Sequence, residues 1–597
     1  MEAWSAALGE LLAAQASATL GAPQQALLAA RAALNDIRAR IAHIDARLLQ
    51  VLSDDSRAGD VQAQQAWRER LLSKLRAERD TEATRERAAL AEYQVAKAAL
   101  AAADPTFAAA LRPAQQRAAD YTAQLRPGEA VLILFSIGEH GGAFVIRADG
   151  RHGELALPDL DRFAACARER EELWRGGHRG GLRDWLDADD FSAARLIEFD
   201  KPDPAAASAG KGDAAQPKPT PTLADLQQAA GAGFWTPLRE AFGNVRRWYI
   251  VTGPGQHTLP LEMGRTEVAA RYYCGLPAYW RLRDQPLPLP APGSGMDIAV
   301  DAAWGTRSPI PFVECEADLV RHIVTGRNTA TRRRDGAALL DGRPLAARVQ
   351  VACHGQAVGA VGRAHGVLVL DAAAGVVLEP ARAAHLPGQM AELFASSCLG
   401  GVVGQTAGGD AQGMVPPLQL RGLPAIVACL APVPDFYMPM LAALYWHARV
   451  AGVLPHEALE QAKSQFRSGN WPPELLTPVR AAYTARMTDV LERAAALDLG
   501  DRTVMTAARS VAGWCLPDEV RKKHFWKPPK HLSWEDLRGF VQEWCAGADR
   551  RAALVTEVAD RFIAGRHDLP AAARASIEHL CAYTVCFGDV AQAGEVA

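Results

Sequence analysis

Short apolar runs rich in β-branched residues alternate with helical patterns between residues 129 and 450, and this alternation constrains the fold most. Strands are predicted at EAVLILFSI (129–137), GAFVIRA (142–148), VRRWYIVT (245–252), MDIAVDA (296–302), RVQVAC (348–353), GVLVLD (366–371), ELFASS (392–397) and AIVACL (425–430). The first two flank GEHGG, a hairpin signal, and the helical patterns ECEADLVRHIV and MPMLAALYWHARVAG fall between later ones. The chain is therefore predicted to be α/β, with a mostly parallel sheet flanked by helices.

Residues 1–103 have a different pattern, rich in Ala, Leu, Arg, Glu and Gln. Apolar residues at three- and four-residue steps form a helical stripe: Leu34, Ile37, Ile41, Ile44 and Leu48. A break at SDDSRAGD is followed by a second long helical run. We predict an N-terminal helical hairpin of coiled-coil type with a supporting or regulatory role.

Two further composition changes divide the remainder. Residues 201–222 carry five prolines and no large apolar residue, which predicts a flexible linker inside the sheet domain. After about residue 470 helical patterns return, with a capping box at Ser533 and Asp536. The predicted domains are thus 1–103, 104–469 and a helical C-terminal region over 470–597.

Composition excludes several classes of function. The 597 residues carry a net charge of −3, which gives no general attraction to nucleic acid or anionic membranes. The basic run TRRRDG (331–336) is interpreted as a solvated loop. The N terminus lacks a secretion signal, so a cytoplasmic protein is expected. The ten cysteines show no metal-ligand spacing, and no cofactor motif is present, so we expect no metal, no cofactor and mostly buried thiols.

Two of the predicted strands end in residues that could carry chemistry. His354 follows VQVAC and Cys398 follows LFASS, and each precedes glycine within two residues. Ligands of open α/β sheets bind at the carboxyl ends of strands. A thiol and an imidazole together can form a nucleophile and a proton carrier. The glycines would let a substrate backbone approach and would free the amides of Gly355 and Cys398 to hold an oxyanion.

Other nucleophiles fit this chemistry less well. Cys353 ends its predicted strand and, by strand alternation, should point away from the side that His354 faces. Ser396 and Ser397 lack the Gly-x-Ser-x-Gly elbow of serine hydrolases. Taken alone, His354 would more often be a structural histidine, and Cys398 a buried thiol. The pair, separated by 44 residues in the order His then Cys, favours catalysis.

The motif order from residue 104 to about 465 resembles the CHAT family of bacterial-type, caspase-like cysteine peptidases, whose clan includes separase. The resemblance is carried by WYIVTGPGQHTLPLEM (248–263), IPFVECEADLVRHIV (310–324), VACHG (351–355), LFASSCLGG (393–401) and the closing segment 425–463. It implies a caspase–hemoglobinase fold, a dyad of His354 and Cys398, protein substrates and a role in bacterial defence. Departures are Leu399 after the cysteine, Leu430 in place of a tryptophan and the loop 402–417, and they leave the substrate preference open.

Two further expectations concern specificity and activation. In related peptidases an acidic loop residue lines the pocket before the cut. Asp410 or Asp435 would there favour Arg or Lys, unless both are solvated acids or helix caps. Caspase-type peptidases are often activated by cleavage of an internal loop, and Lys211 is the plausible processing site in 201–222. The alternative is a passive insertion.

The sequence therefore predicts a cysteine endopeptidase gated as a zymogen by an activating protease or a regulatory protein, with no nucleic acid or membrane partner. The alternative is a catalytically inactive caspase-like interaction scaffold, although a scaffold needs neither His354 nor Cys398. A third interpretation is an acyltransferase or amidase that uses the same dyad on a small molecule.

Overall fold

A computed structural model describes scattered positions between 22 and 44 and most of the rest of the chain. The described ranges are 61–103, 117–137, 140–157, 159–167, 222–253, 259–263, 269–284, 286–291, 293–303, 310–326, 330–358, 365–384, 390–405, 411–433, 435–496, 547–562 and 571–588, with residues 256, 386 and 388. The chain divides into two compact units. One holds residues 1–117 with the short stretches 275–277 and 405–412, and the other holds the remainder.

The strands form one large sheet and two small ones. In chain order they are β1 (Glu129–Ile137), β2 (His140–Arg147), β3 (His152–Ala156), β4 (Arg247–Val251), β5 (Ala269–Tyr273), β6 (Met296–Val300), β7 (Thr331–Asp335), β8 (Arg348–Ala352), β9 (His354–Val358), β10 (His365–Asp371), β11 (Val376–Leu378), β12 (Glu392–Ser396), β13 (Gly404–Gln405), β14 (Ala411–Gln412), β15 (Ala425–Cys429) and β16 (Thr584–Phe587). Every strand predicted from the sequence is confirmed, as is the β1–β2 hairpin.

The large sheet has eleven strands in the order β3-β2-β1-β4-β5-β16-β15-β12-β8-β6-β7. Its central strands pair in parallel on either side of β16. β16 itself runs parallel to β5 but antiparallel to β15. The strands β1, β4 and β5, here called the first half, therefore run opposite to β6, β7, β8, β12 and β15, the second half. The carboxyl ends of the two halves lie at opposite edges of the sheet.

The helices are α1 (Val61–Ala103), α2 (Ala118–Thr122), α3 (Leu223–Ala230), α4 (Thr236–Phe242), α5 (Leu276–Asp284), α6 (Phe312–Thr325), α7 (Pro380–Ala384), α8 (Val415–Arg421), α9 (Met438–Val450), α10 (Pro455–Ser468), α11 (Pro473–Ala495), α12 (Ala548–Phe562) and α13 (Ala571–Tyr583). The predicted helices α6 and α9 are confirmed. Both pack, with α10 and α11, into one apolar core that covers the second half of the sheet. Among the described helices, none is long and apolar enough to cross a membrane.

The unit that contains α1 has its own small apolar core. Side chains between 27 and 37 pack against others between 89 and 100, among them Leu34, Tyr93 and Leu100. Nε of Arg40 lies 3.1 Å from Oε2 of Glu82. Helical segments on either side of residues 45–60 are therefore packed side by side through an apolar stripe.

Eight of the sixteen described strands were not predicted from the sequence, and two of these, β7 and β16, are informative. The run TRRRDG was interpreted as a loop, which is wrong, because Thr331–Asp335 is the edge strand β7. The guanidinium groups of Arg332 and Arg334 reach the buried carboxylate of Asp297 on β6, so this charged strand is held by ion pairs. The second, β16, comes from the C-terminal region and lies at the centre of the sheet.

Candidate active site

A buried ion cluster fixes the amino ends of the two strands that lead into the site. Glu392, the first residue of β12, receives two hydrogen bonds from Arg449, with N–O distances of 2.6 and 2.8 Å. The Tyr445 hydroxyl donates a third at 2.6 Å, and Nε of Arg348 on β8 lies 3.4 Å away. Burial opposes ionisation of Glu392, but Arg449 and Arg348 outweigh it and hold its pKa below the ordinary value. The two strands consequently start from one rigid anchor.

The same two strands end together at the opposite edge. β8 and β12 pair in parallel with Ala352 opposite Ser396. The next amide, of Cys353, donates to the Ser396 carbonyl at 3.3 Å. Parallel strands in register bring their carboxyl ends to one edge of the sheet. His354, which follows β8, and Cys398, in the turn after β12, therefore lie at the same edge.

The turn that carries Cys398 has an unusual backbone. Leu399 has φ of 58°, a left-handed conformation that side chains rarely adopt and that costs on the order of 1 kcal/mol. It is held there because its amide donates to the Ala431 carbonyl at 3.2 Å, and the Gly401 amide donates to the Cys429 carbonyl at 2.8 Å. The sharp turn sets Cys398 at its apex, while the amide of Leu399 is already engaged.

Two glycines allow the β9–β10 hairpin to lie directly on this turn. A β-carbon at Gly355 would fall 1.8 Å from the Cys398 carbonyl oxygen, and one at Gly366 would fall 2.1 Å from the Leu399 carbonyl oxygen. Neither position tolerates any side chain without a shift of the backbone. His354 immediately precedes Gly355, is buried at 8% exposure and pairs with Val369 of β10. The imidazole and the thiol thus belong to two segments in direct backbone contact.

The Cys398 thiol is half-buried and contacts one residue of the next loop. Its Sγ accepts from the Val433 amide at 3.4 Å and donates to the Val433 carbonyl at 3.7 Å. Burial raises the thiol pKa to about 11, although the Val433 amide lowers it. At neutral pH the thiol is therefore protonated. By contrast, Cys353 is fully buried, and burial raises its pKa well above the ordinary value.

Asp435 also lies in this loop, where it caps helix α6. Its Oδ2 accepts from the Phe312 amide at 3.0 Å. Burial raises the carboxyl pKa to about 7, against the opposing effects of the Phe312 amide and the Arg486 guanidinium. Its charge in turn raises the pKa of Cys398, so the two groups are electrostatic neighbours.

Behind the turn lies a second buried carboxyl group. Oε2 of Glu316 accepts from the Ser396 hydroxyl at 2.9 Å, and Oε1 accepts from the side-chain amide of Gln350. Nε1 of Trp446 donates to Gln350 Oε1 at 2.6 Å and completes the chain. Burial raises the pKa of Glu316 well above its ordinary value. This network joins helices α6 and α9 to the middle of β8 and the end of β12.

The structure gathers His354, Gly355, Cys398 and Asp435 at the carboxyl edge of the second half of the sheet. Asp410, Lys211, the linker 201–222 except Thr222 and the capping box at 533–536 lie outside the described residues. In the described part of the chain, no three His, Cys, Asp or Glu side chains are placed to hold a metal ion.

Sequence reasoning missed three contributors to the site: Val433, Gly366 and Glu316. The proline-flanked APVPD segment marks a tight loop after β15, which was a usable signal for Val433. A glycine at the start of the GVLVLD run was a weaker signal for close backbone approach. Glu316 lies within a helical pattern of the sequence, and that pattern does not indicate that its side chain is buried.

Neither a family model nor a curated protein matches the sequence. Among solved structures, the chain is similar to two crystal structures of the Saccharomyces cerevisiae separase–securin complex, both at 9% identity. The match to the 3.0 angstrom structure has a TM-score of 0.35 and covers 59% of this chain and 30% of that chain. The match to the 2.6 angstrom structure has a TM-score of 0.36 and covers 72% and 39%. The chain thus spans well under half the length of the separase–securin chains that it matches, and likeness at this level does not establish a shared family.

Proposed function

We propose that this protein is a caspase-like cysteine endopeptidase with Cys398 as nucleophile and His354 as general base and acid. One observation carries the proposal: the backbone of Gly355 touches the Cys398 carbonyl, so that the residue after the histidine lies against the cysteine turn. A close approach that excludes any β-carbon is costly to maintain without a use for it. Holding a thiol beside an imidazole is such a use.

The proposed reaction begins with the protonated thiol. His354 takes the proton from Sγ as the sulfur attacks the scissile carbonyl, and it returns that proton to the leaving amine. The amides of Gly355 and Cys398 are proposed to hold the oxyanion. Water then hydrolyses the thioester and releases the second product. Since Leu399 already donates to Ala431, its amide is not available for this role.

We propose that the activity is gated. The thiol pKa of about 11 leaves Cys398 without thiolate character at neutral pH until a base or a rearrangement acts on it. A free peptidase would damage the cytoplasm in which we expect this protein to act. An activating protease that cuts at Lys211, or a regulatory protein, would supply the trigger, in a role such as bacterial defence.

For the substrate we propose a preference for Arg or Lys before the cut. Asp435 is a half-buried carboxyl group electrostatically coupled to the thiol, but it also caps helix α6, which is the alternative that the sequence left open for it. Asp410 is the other candidate and is proposed from the sequence alone. A charge-assisted bond from a basic side chain would stabilise the ionised form of Asp435. A peptide library cut mainly after Asp or small residues would contradict this preference.

The test compares the wild type with Cys398→Ala, His354→Ala and the control Cys274→Ala on a mixed peptide library, with products identified by mass spectrometry. We expect cleavage to fall by about 10⁴-fold or more without the thiol. It should fall by about 10²–10⁴-fold without the imidazole. Cys274→Ala should cleave like the wild type. Equal behaviour of the wild type and Cys398→Ala would contradict the peptidase and favour the interaction scaffold.

A further inference from the structure

The loop that contacts Cys398 is held on its other side by the C-terminal end of the described chain. Residues 430–433, here called the thiol loop, follow β15. On the active-site side, the Ala431 carbonyl accepts from Leu399 at 3.2 Å and the Val433 amide donates to Sγ of Cys398 at 3.4 Å. Both of these contacts use backbone atoms of the thiol loop. Their positions therefore depend on what holds the loop in place.

On the other side, helix α13 and strand β16 supply the anchors. The Leu430 amide donates to the Tyr583 carbonyl at 2.9 Å. Nε2 of His579 lies 2.9 Å from the Pro432 carbonyl oxygen. Since that oxygen can only accept, the proton is on Nε2. Just before the loop, Cys429 of β15 pairs with Thr584 of β16.

His579 is placed rigidly enough to serve as an anchor. It is 3% exposed, and its ring lies 4.7 Å from the ring of Tyr583. Its helix is tied to α10 by an ion pair between Arg467 and Glu578 at 2.9 Å. A buried hydrogen bond between a fixed donor and a fixed acceptor restricts the acceptor's segment.

We propose that His579 is a positioning residue for the nucleophile, and that the C-terminal helix and strand control Cys398 through the thiol loop. The inference rests on the proposed function in treating Cys398 as the nucleophile. In this proposal His579 acts on the thiol through the loop. Its hydrogen bond fixes the position of Pro432 and therefore of the next residue, Val433, whose amide contacts the sulfur of Cys398.

Loss of the His579 hydrogen bond is expected to speed alkylation of Cys398 and to slow peptide cleavage. Without the His579 bond the thiol loop moves away, Val433 releases Sγ, and the thiol becomes more exposed. Because burial is the main cause of the raised thiol pKa, exposure lowers that pKa and speeds alkylation. Peptide cleavage slows, because the sulfur leaves the position from which it is proposed to react.

The experiment measures alkylation by iodoacetamide at pH 8 for individual cysteines, by peptide mass spectrometry of the full chain. His579→Leu should raise the rate at Cys398 about tenfold, which corresponds to about one pKa unit. His579→Gln keeps a side-chain N–H for Pro432 and should stay within about threefold of the wild type. Arg574→Gln, at an exposed position of the same helix, is the matched control. The buried thiols of Cys274 and Cys315 report on the integrity of the fold.

An unchanged Cys398 rate in His579→Leu would overturn the proposal. So would a parallel rise at all three cysteines, which indicates general loosening, or a failure of His579→Gln to restore the wild-type rate. The readout does not depend on peptide cleavage. If Cys398→Ala still cleaves while His579→Leu speeds alkylation, the peptidase assignment fails and the positioning role stands.

Discussion

The two halves of the large sheet each end a strand near a cysteine, yet the two thiols differ completely. Cys274 directly follows β5 in the first half, and Cys398 lies two residues after β12 in the second. Cys274 is fully buried, and burial alone raises its thiol pKa far above the ordinary value. Cys398 is half-buried and is contacted by the Val433 amide. Position at a strand end is thus common to both, and only the surroundings distinguish them.

The surroundings differ because a side chain closes the strand end in the first half. The side-chain Oε1 of Gln419 accepts from the Cys274 backbone amide at 2.8 Å, and its Nε2 donates to the Tyr272 carbonyl at 2.9 Å. These bonds satisfy the backbone that would otherwise be available to a ligand. At the end of β12 the chain instead makes a turn with a left-handed residue and presents the thiol. At these two strand ends, the one closed by Gln419 buries its cysteine fully, whereas the turn with the left-handed residue leaves its cysteine half-buried.

The largest expected effect distinguishes two glycines that follow strands of the two halves: Gly253 after β4, and Gly355 on β9, which follows β8. Gly355→Ala would set a β-carbon 1.8 Å from the Cys398 carbonyl oxygen, and Gly253→Ala would set one 2.9 Å from the Leu134 carbonyl oxygen. Both should lower the free energy of unfolding, by about 1–3 kcal/mol. Only Gly355→Ala should also reduce peptide cleavage per folded molecule, by about 10²-fold, since it displaces the nucleophile turn. Equal cleavage by the two variants in a library assay would contradict the distinction between the halves.

A smaller effect is expected from opening the closed strand end. Gln419→Ala removes two buried hydrogen bonds and should lower the free energy of unfolding by about 2 kcal/mol in urea titrations. Alkylation of Cys274 should become faster, while that of Cys398 stays unchanged. Gln228→Ala, at an exposed position of α3, should stay within about 0.5 kcal/mol of the wild type. Faster alkylation of Cys398 instead would show that the strand ends at Cys274 and Cys398 are coupled.

The smallest effect is a pH dependence in the second half. Burial raises the Asp435 pKa from 3.8 to about 7, so the folded state keeps a proton that the unfolded chain releases between about pH 4 and pH 7. The unfolding free energy therefore falls as pH rises through that window. Asp435→Asn keeps an acceptor for Phe312 without the charge. It should stabilise the protein at pH 8 by about 1 kcal/mol, allowing for solvent screening, and change little at pH 4.

Urea titrations at the two pH values measure this difference. Asp435→Ala removes the helix cap as well as the charge, so it should lose about 1 kcal/mol at pH 4, where the charge makes no contribution. A stabilisation by Asp435→Asn that is equal at both pH values would contradict the raised pKa.

The sequence predicted much of the sheet because local pattern decides local structure. Runs such as RVQVAC and ELFASS consist mainly of apolar, β-branched or small residues, and each forms a strand. The run TRRRDG defeated the same reasoning. Its charged residues favoured a loop. In the structure the carboxylate of Asp297, 35 positions before Arg332, forms an ion pair with that arginine and stabilises an edge strand. The four-residue strand β16 was missed because a run of that length predicts little without its partners.

The site shows the same division between local and distant causes. Residue type and order along the chain selected His354 and Cys398, and the glycine after His354 indicated a close approach. The state of the thiol, however, depends on Val433, and Val433 depends on a loop anchored by residues almost 150 positions later, such as His579. Local sequence patterns do not predict contacts between residues that lie so far apart in the chain. The amino-acid sequence alone determined which chemical groups stand at strand ends. The tertiary structure decided which of those ends stays open, because burial and backbone hydrogen bonding are properties of the assembled fold.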